Sequence, residues 1–282
     1  MFKYFRNKKK LKIVSLLILI AIVVLVFSVI LKKPSHDRDW WESLSVLPNI
    51  EINGDRITIR NVRDWHYDEN GPVSKDWIDR TYNLNDLEKV WFIVTPFSER
   101  KYLAHTMLSF DFKGQKPLSL SIEARKEIGE EYKLINGLLH EYELMYIWGT
   151  EDDFIGDRII TRGDTVYMYP LKISSGSARS LLVKLLYTTN QLYVEPRFYS
   201  TLVHNCTNEL AIAMNAIKPG AIPMDISRVL SGHTFDLLFR LGYIDDTGER
   251  EGVRNKYNIT EIVKKTINSE DFSEGLRSKI YN

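Results

Sequence analysis

The stretch Leu103-Ala104-His105-Thr106-Met107-Leu108-Ser109-Phe110-Asp111-Phe112-Lys113-Gly114-Gln115-Lys116-Pro117-Leu118-Ser119-Leu120-Ser121-Ile122-Glu123-Ala124-Arg125 decides the fold. From Leu103 to Phe112 and from Leu118 to Arg125, small or apolar residues alternate with polar ones, and Lys113 to Pro117 form a turn-rich break. Period-two alternation marks a strand with distinct faces, so the stretch predicts an antiparallel hairpin. With a turn centred near Gly114, His105 faces Glu123 or Arg125 across the ladder, on one face of the sheet. A register slipped by one residue places Ala124 there instead.

Working outward, Ile52 and the pair Ile57 and Ile59 flank Asn53-Gly54-Asp55, a second hairpin between Ile50 and Val62 whose glycine suits the positive φ of a tight turn. Asn83 to Lys89 reads as a polar linker or helical turn leading into the apolar run Val90 to Thr95, closed by Pro96. Tyr142 to Trp148 and Val166 to Pro170 are further strand-like runs. Ala178, Leu181, Leu182, Leu185 and Leu186 recur at helical spacing behind the capping residues Ser174 to Ser177. A mostly apolar helix follows Cys206 and ends at Pro219-Gly220. The last sixty residues read mainly as helices and loops. Strands in the middle and helices on both sides of Cys206 predict an α+β domain, an antiparallel sheet packed on helices, rather than alternating βαβ units.

At the amino terminus, Ile13 to Leu31 is an apolar run without Asp, Glu, Lys or Arg. About 20 residues at 1.5 Å rise cross a hydrocarbon core of ~30 Å, so this run predicts a membrane span. Lys3, Arg6, Lys8, Lys9, Lys10 and Lys12 precede it, against Lys32 and Lys33 after it. That asymmetry predicts a cytoplasmic amino terminus and an exported domain, in the inner membrane of an enveloped cell. A cleavable signal peptide is the rival reading, weakened by an apolar core longer than a signal h-region and by the lack of a small-x-small pattern after it. The expected organisation is a basic flank and anchor over 1–33, a juxtamembrane segment over 34–54 and an extracytoplasmic domain over 55–282. Net charge is +1, with the positive excess in the membrane flank, so nucleic acid is not an expected partner. The expected partner is the bilayer.

The chain has a single cysteine. It cannot form an internal disulfide, and cysteine-based zinc sites need two or more, so no metal or cofactor is expected. Cys206 is either a small buried apolar residue or a working thiol. Its neighbours Asn205, Thr207, Asn208 and Glu209 are polar. If Asn205 caps the helix, Cys206 sits in its first turn, where free N–H groups and the dipole favour a thiolate and could hold an oxyanion. Among the six histidines, His204 adjoins the thiol, yet residues two apart at a helix start need not face each other. His105, on a predicted strand, is the best-placed base, and Glu123 can fix its tautomer. The alternative for Glu123 is a surface ion pair with Arg125.

These residues carry a resemblance. Ile59 to Trp65, Ala104 to Phe110, Leu120 to Glu127, Tyr142 to Tyr146 and Phe198 to Thr207 together resemble the Lnb N-terminal periplasmic domain family over roughly residues 55 to 215. The family takes its name from a bacterial lipoprotein N-acyltransferase and is similar to circularly permuted papain-like, or NlpC/P60-like, thiol enzymes. The resemblance implies such a core, with Cys206 as nucleophile and His105 as base, and a lipoprotein or phospholipid as substrate. The expected activity is acyl transfer or hydrolysis through a Cys206 thioester, with Asn205 and Thr207 at the substrate or oxyanion. A cell-wall peptidase or amidase is the rival enzyme, and a non-catalytic envelope binding module the rival outside enzymology. No second apolar span of ~20 residues is present, unlike in the acyltransferase that names the family.

Overall fold

The computed structural model describes residues 2–97, 100–267, 269 and 272–281. Its first element, α1 (Phe2–Leu31), contains a 22-residue stretch, Lys10–Leu31, long and apolar enough to cross a membrane. The strands are β1 (Asn49–Asn53), β2 (Arg56–Asp68), β3 (Gly71–Asn83), β4 (Leu87–Phe97), β5 (Arg100–Phe112), β6 (Leu118–Arg125), β7 (Glu143–Gly149) and β8 (Tyr167–Pro170). Between and after them come α2 (Leu134–Leu138), α3 (Glu151–Gly156), α4 (Ser175–Val194), α5 (Cys206–Ile217), α6 (Thr234–Arg240), α7 (Arg250–Lys256), α8 (Thr260–Thr266) and α9 (Phe272–Tyr281). The fold is α+β.

One sheet runs β1-β2-β7-β6-β5-β4-β8, with β3 paired to β2. Its pairings are antiparallel except for β2 with β7, which is parallel, so the sheet is mixed where the alternation predicted antiparallel pairing throughout. The long β2 explains this: one part pairs with β1 and β3, and Arg63 then lies beside Gly149 of β7. The first hairpin turns at Gly54, with φ of 59°. Leu181, Leu182, Leu185 and Leu186 of α4 and Leu210, Ala211 and Met214 of α5 are buried and join the sheet residues Phe92, Leu108, Phe110 and Trp148 in one core.

The segment after α1 packs on the domain. Lys32 Nζ donates to Leu139 O at 3.0 Å and pairs with Glu141, the Ser35 N–H donates to Glu143, and His36 Nε2 lies 2.8 Å from Leu192 O. Arg38 pairs with Glu127 and Glu143. Residues 49–53 of the expected juxtamembrane segment supply β1 at the sheet edge.

The β5–β6 ladder is centred on Gly114: Met107 faces Ser121, Leu108 faces Leu120 and Phe110 faces Leu118. It ends at Met107. Beyond that point β5 stays on β4, with Thr95 beside His105, while β6 stays on β7 as far as Arg125. The two central strands therefore part, and the split is the floor of the site.

Candidate active site

Ser231 holds β5 at the split, accepting from the Ala104 N–H at 2.8 Å and donating to Ala104 O at 2.6 Å. The next residue must be small: a Cβ on Gly232 would lie 2.1 Å from Lys101 O. On the other side α5 begins at Cys206. Its cap is Asn205, whose side-chain oxygen accepts from the Asn208 N–H at 2.8 Å. The Asn205 amide nitrogen donates to Thr201 O and Arg228 O, so the side chain is committed to holding the turn, and what Asn205 offers a substrate is placement of the thiol. The buried hydroxyls of Thr106 and Thr207 lie 3.0 Å apart and clamp the helix start to β5.

These constraints set Cys206, 8% exposed, beside His105, 6% exposed, on the wall of one cleft, the sulfur lying 4.0 Å from Ala104 O and 3.9 Å from Thr207 Oγ1. His105 Nε2 reaches across the split to Ser121 Oγ at 2.7 Å and Glu123 Oε1 at 3.2 Å, and Ser121 donates to the same carboxylate oxygen at 2.6 Å. Side chains thus join the two strands where backbone pairing has stopped. Nε2 is occupied by this hydroxyl and carboxylate.

Electrostatics follow from the contacts. Burial opposes a charged ring at His105, but the Glu123 carboxylate and the contact with Cys206 outweigh burial and the repulsion of Arg158, raising the imidazole to about 9. Burial likewise disfavours a thiolate. The hydrogen bond and charge of His105, followed by hydrogen bonds from the Thr106 side chain and backbone, nonetheless bring Cys206 down to about 7. Glu123 is buried too, yet His105, Arg158 and the Ser121 hydroxyl hold it well below the usual carboxylate range. Both shifts favour the same arrangement, a thiolate beside an imidazolium.

The sulfur opens on a cleft of about 180 Å³ lined by Ala104, His105, Glu123, Tyr132, Tyr199 and Cys206, with Lys126, Arg158 and Arg162 at the Glu123 end. Burial first, and the two neighbouring guanidiniums after it, depress the Lys126 ammonium. Arg158 belongs to a π-helical turn, Asp157–Thr161, that continues α3; such turns often re-aim side chains at functional sites. Thr207, the next residue after Cys206, lines a separate apolar pocket of about 60 Å³ with Leu108, Leu210 and Met214.

Of the residues singled out from sequence, His105 and Glu123 meet, Cys206 lines the same cleft, Asn205 caps the helix and Thr207 braces it. His204 turns away to Glu209, Nδ1 lying 2.6 Å from Oε1, and Tyr146 holds the other carboxylate oxygen at 2.7 Å. Sequence reasoning missed Ser121, Thr106, Arg158 and Ser231. Ser121 was within reach, because residues two apart on a strand share a face and Glu123 was already placed. Among the described residues no group of three or more His, Cys, Asp or Glu side chains could hold a metal ion.

A thiol, an imidazole and a carboxylate brought together at a helix start on an α+β scaffold define the class of site. The Lnb N-terminal periplasmic domain family matches residues 74–232, more than half of the chain, and the chain belongs to that family. The match takes in His105, Ser121, Glu123 and the helix start at Cys206, and leaves out Ile59 to Trp65. No curated protein and no solved structure matches the chain. With its periplasmic-domain family and one N-terminal apolar helix, the chain fits a single-pass membrane protein with an extracytoplasmic domain.

Proposed function

We propose that this protein is a membrane-anchored, extracytoplasmic acyltransferase or hydrolase that works through a thioester on Cys206. The feature that supports the reading is His105, held by Ser121 and Glu123 across the strand split beside Cys206, with the thiol lowered and the imidazole raised. In this reading the thiolate attacks an ester or amide carbonyl, and the oxyanion is held by first-turn N–H groups of α5. The C–O or C–N bond breaks, the leaving group takes the His105 proton, and the acyl group stays on sulfur. An amine or water then attacks the thioester, His105 takes its proton, and the thiolate departs. Glu123 and Ser121 stabilise the imidazolium without taking its proton. The basic flank before α1 supports a cytoplasmic amino terminus, with the domain on the far side of the inner membrane.

A lipid or lipoprotein substrate is supported by the anchor, which confines the thiol near the bilayer, and by the apolar pocket beside Thr207. Cleavage of a cell-wall peptide is the second reading, favoured by Lys126, Arg158 and Arg162, which suit a carboxylate terminus. Incubation of the purified chain with phospholipid vesicles, and separately with cell-wall peptides, followed by intact mass measurement, decides between them. A hydroxylamine-labile adduct of fatty-acyl mass on Cys206 supports the first reading, and peptide cleavage without it supports the second. Neither product would overturn the enzyme proposal.

A further inference from the structure

The two loops that wall the cleft carry more exposed apolar surface than a water-facing cleft requires. Ile135 of α2 is 57% exposed, and Leu202 and Val203, just before the α5 cap, are each 53% exposed. Leu138, on the same short helix as Ile135, is exposed as well. The loops are one surface, because Thr201 Oγ1 donates to Leu134 O at 2.8 Å and the Tyr132 and Tyr199 hydroxyls lie 3.2 Å apart. Tyr132, Leu134, Tyr199 and Thr201 from these loops line the cleft over Cys206.

The anchor leads to this same place. Lys32 directly follows α1, and its ammonium is held by Leu139 O, one residue beyond Leu138. Four residues later His36 is held by Leu192 O at the end of α4, where Val194 is 82% exposed. The point at which the chain leaves the apolar helix is thus tied by side-chain hydrogen bonds to two segments that carry exposed apolar residues, and through Leu134 and Thr201 to a third. A patch of this kind marks an interaction surface, and the length of a lysine side chain keeps it at the level where the apolar helix ends.

We propose that Ile135, Leu138, Val194, Leu202 and Val203 form a rim that enters the bilayer interface, so that the cleft over Cys206 opens onto the lipid surface. The occupant of the rim is lipid, because the docked tether holds these loops beside the end of the apolar helix. The inference rests on the membrane-anchored reading proposed above. It gives a lipid ester a path to the thiol without passage through water.

The test uses the full chain in proteoliposomes, with Cys206→Ser removing its native thiol. An environment-sensitive fluorophore is attached at Leu138→Cys or Leu202→Cys, and as control at Lys113→Cys in the exposed β5–β6 turn, at the far end of β6 from the tether. Lipid carrying a shallow nitroxide is expected to quench the labels at 138 and 202 several-fold more than the label at 113. Equal quenching at all three positions in a chain that resists alkaline carbonate extraction overturns the rim alone. A blue-shifted but unquenched label overturns it too, since protein, such as a second copy, would then cover the loops. Release of the chain by carbonate refutes the anchor and the rim together. The labelled positions are surface-exposed, and Val203→Cys provides a third reporter should either loop substitution disturb folding.

Discussion

Replacement of Glu123 by Gln keeps the shape of the side chain and removes the charge that holds His105 protonated. Burial and Arg158 both disfavour the imidazolium, and the Glu123 carboxylate is the largest influence opposing them. The native ring stands at about 9 against an ordinary 6.5, which at 1.36 kcal/mol per unit is about 3 kcal/mol favouring the charged form. Without the carboxylate the ring should fall to its ordinary value or below. At pH 7.5 that takes it from almost fully protonated to about one-tenth protonated or less. Because His105 is the main influence lowering Cys206, the thiolate should become scarcer in step. The assay is an NMR pH titration of the ring in histidine-labelled protein, native and Glu123→Gln, alongside turnover. The ring is expected near 9 in the first and at or below 6.5 in the second, with turnover reduced less than by His105→Ala. A ring that titrates at the same pH in both proteins would refute the reasoning, because Glu123 would then be a bystander.

Cys206→Ser should abolish turnover at unchanged melting temperature, since volume is nearly conserved while an alkoxide is far harder to form than a thiolate; calorimetry and a product assay check both halves. Unchanged function in this variant would favour the non-catalytic reading. Thr207→Val removes the hydroxyl that Thr106 meets at 3.0 Å in the interior and should cost ~1–3 kcal/mol by urea unfolding, with the Thr106→Val/Thr207→Val double variant costing less than the two singles combined. Asp153→Asn removes the counterion from Arg63, which it grips through two 2.7 Å hydrogen bonds in the interior, and should cost ~3–5 kcal/mol in the same measurement.

The meeting of His105 and Glu123 was legible because a hairpin centred on Gly114 can pair its strands in few ways and only one places these two together. The helix at Cys206 was legible from its cap and its apolar run. The split between β5 and β6 was not, because it depends on Ser231 and Gly232, more than 100 residues away, holding Ala104 off the ladder. Strand β3 escaped for another reason. It pairs with β2 alone and is mostly exposed, so it lacks the alternation that a buried face imposes. The acidic start of α3, Glu151-Asp152-Asp153, lacks the apolar spacing of a helix, and Thr150 caps it by accepting from the Asp153 N–H. Three carboxylates there suit the positive end of a helix. That turn carries Arg158 to the cleft, so an unread cap hid a cation of the site.

The central claim is that a buried sulfur ionises beside a charged imidazole, and the rate of Cys206 alkylation by iodoacetamide as a function of pH tests it most directly. With one cysteine in the chain every adduct reports that site. The rate should rise through a midpoint near 7 and hold a plateau until His105 loses its proton near 9. A single rise centred at or above ~8.5, the ordinary thiol value, would show a sulfur without a working partner and contradict the account.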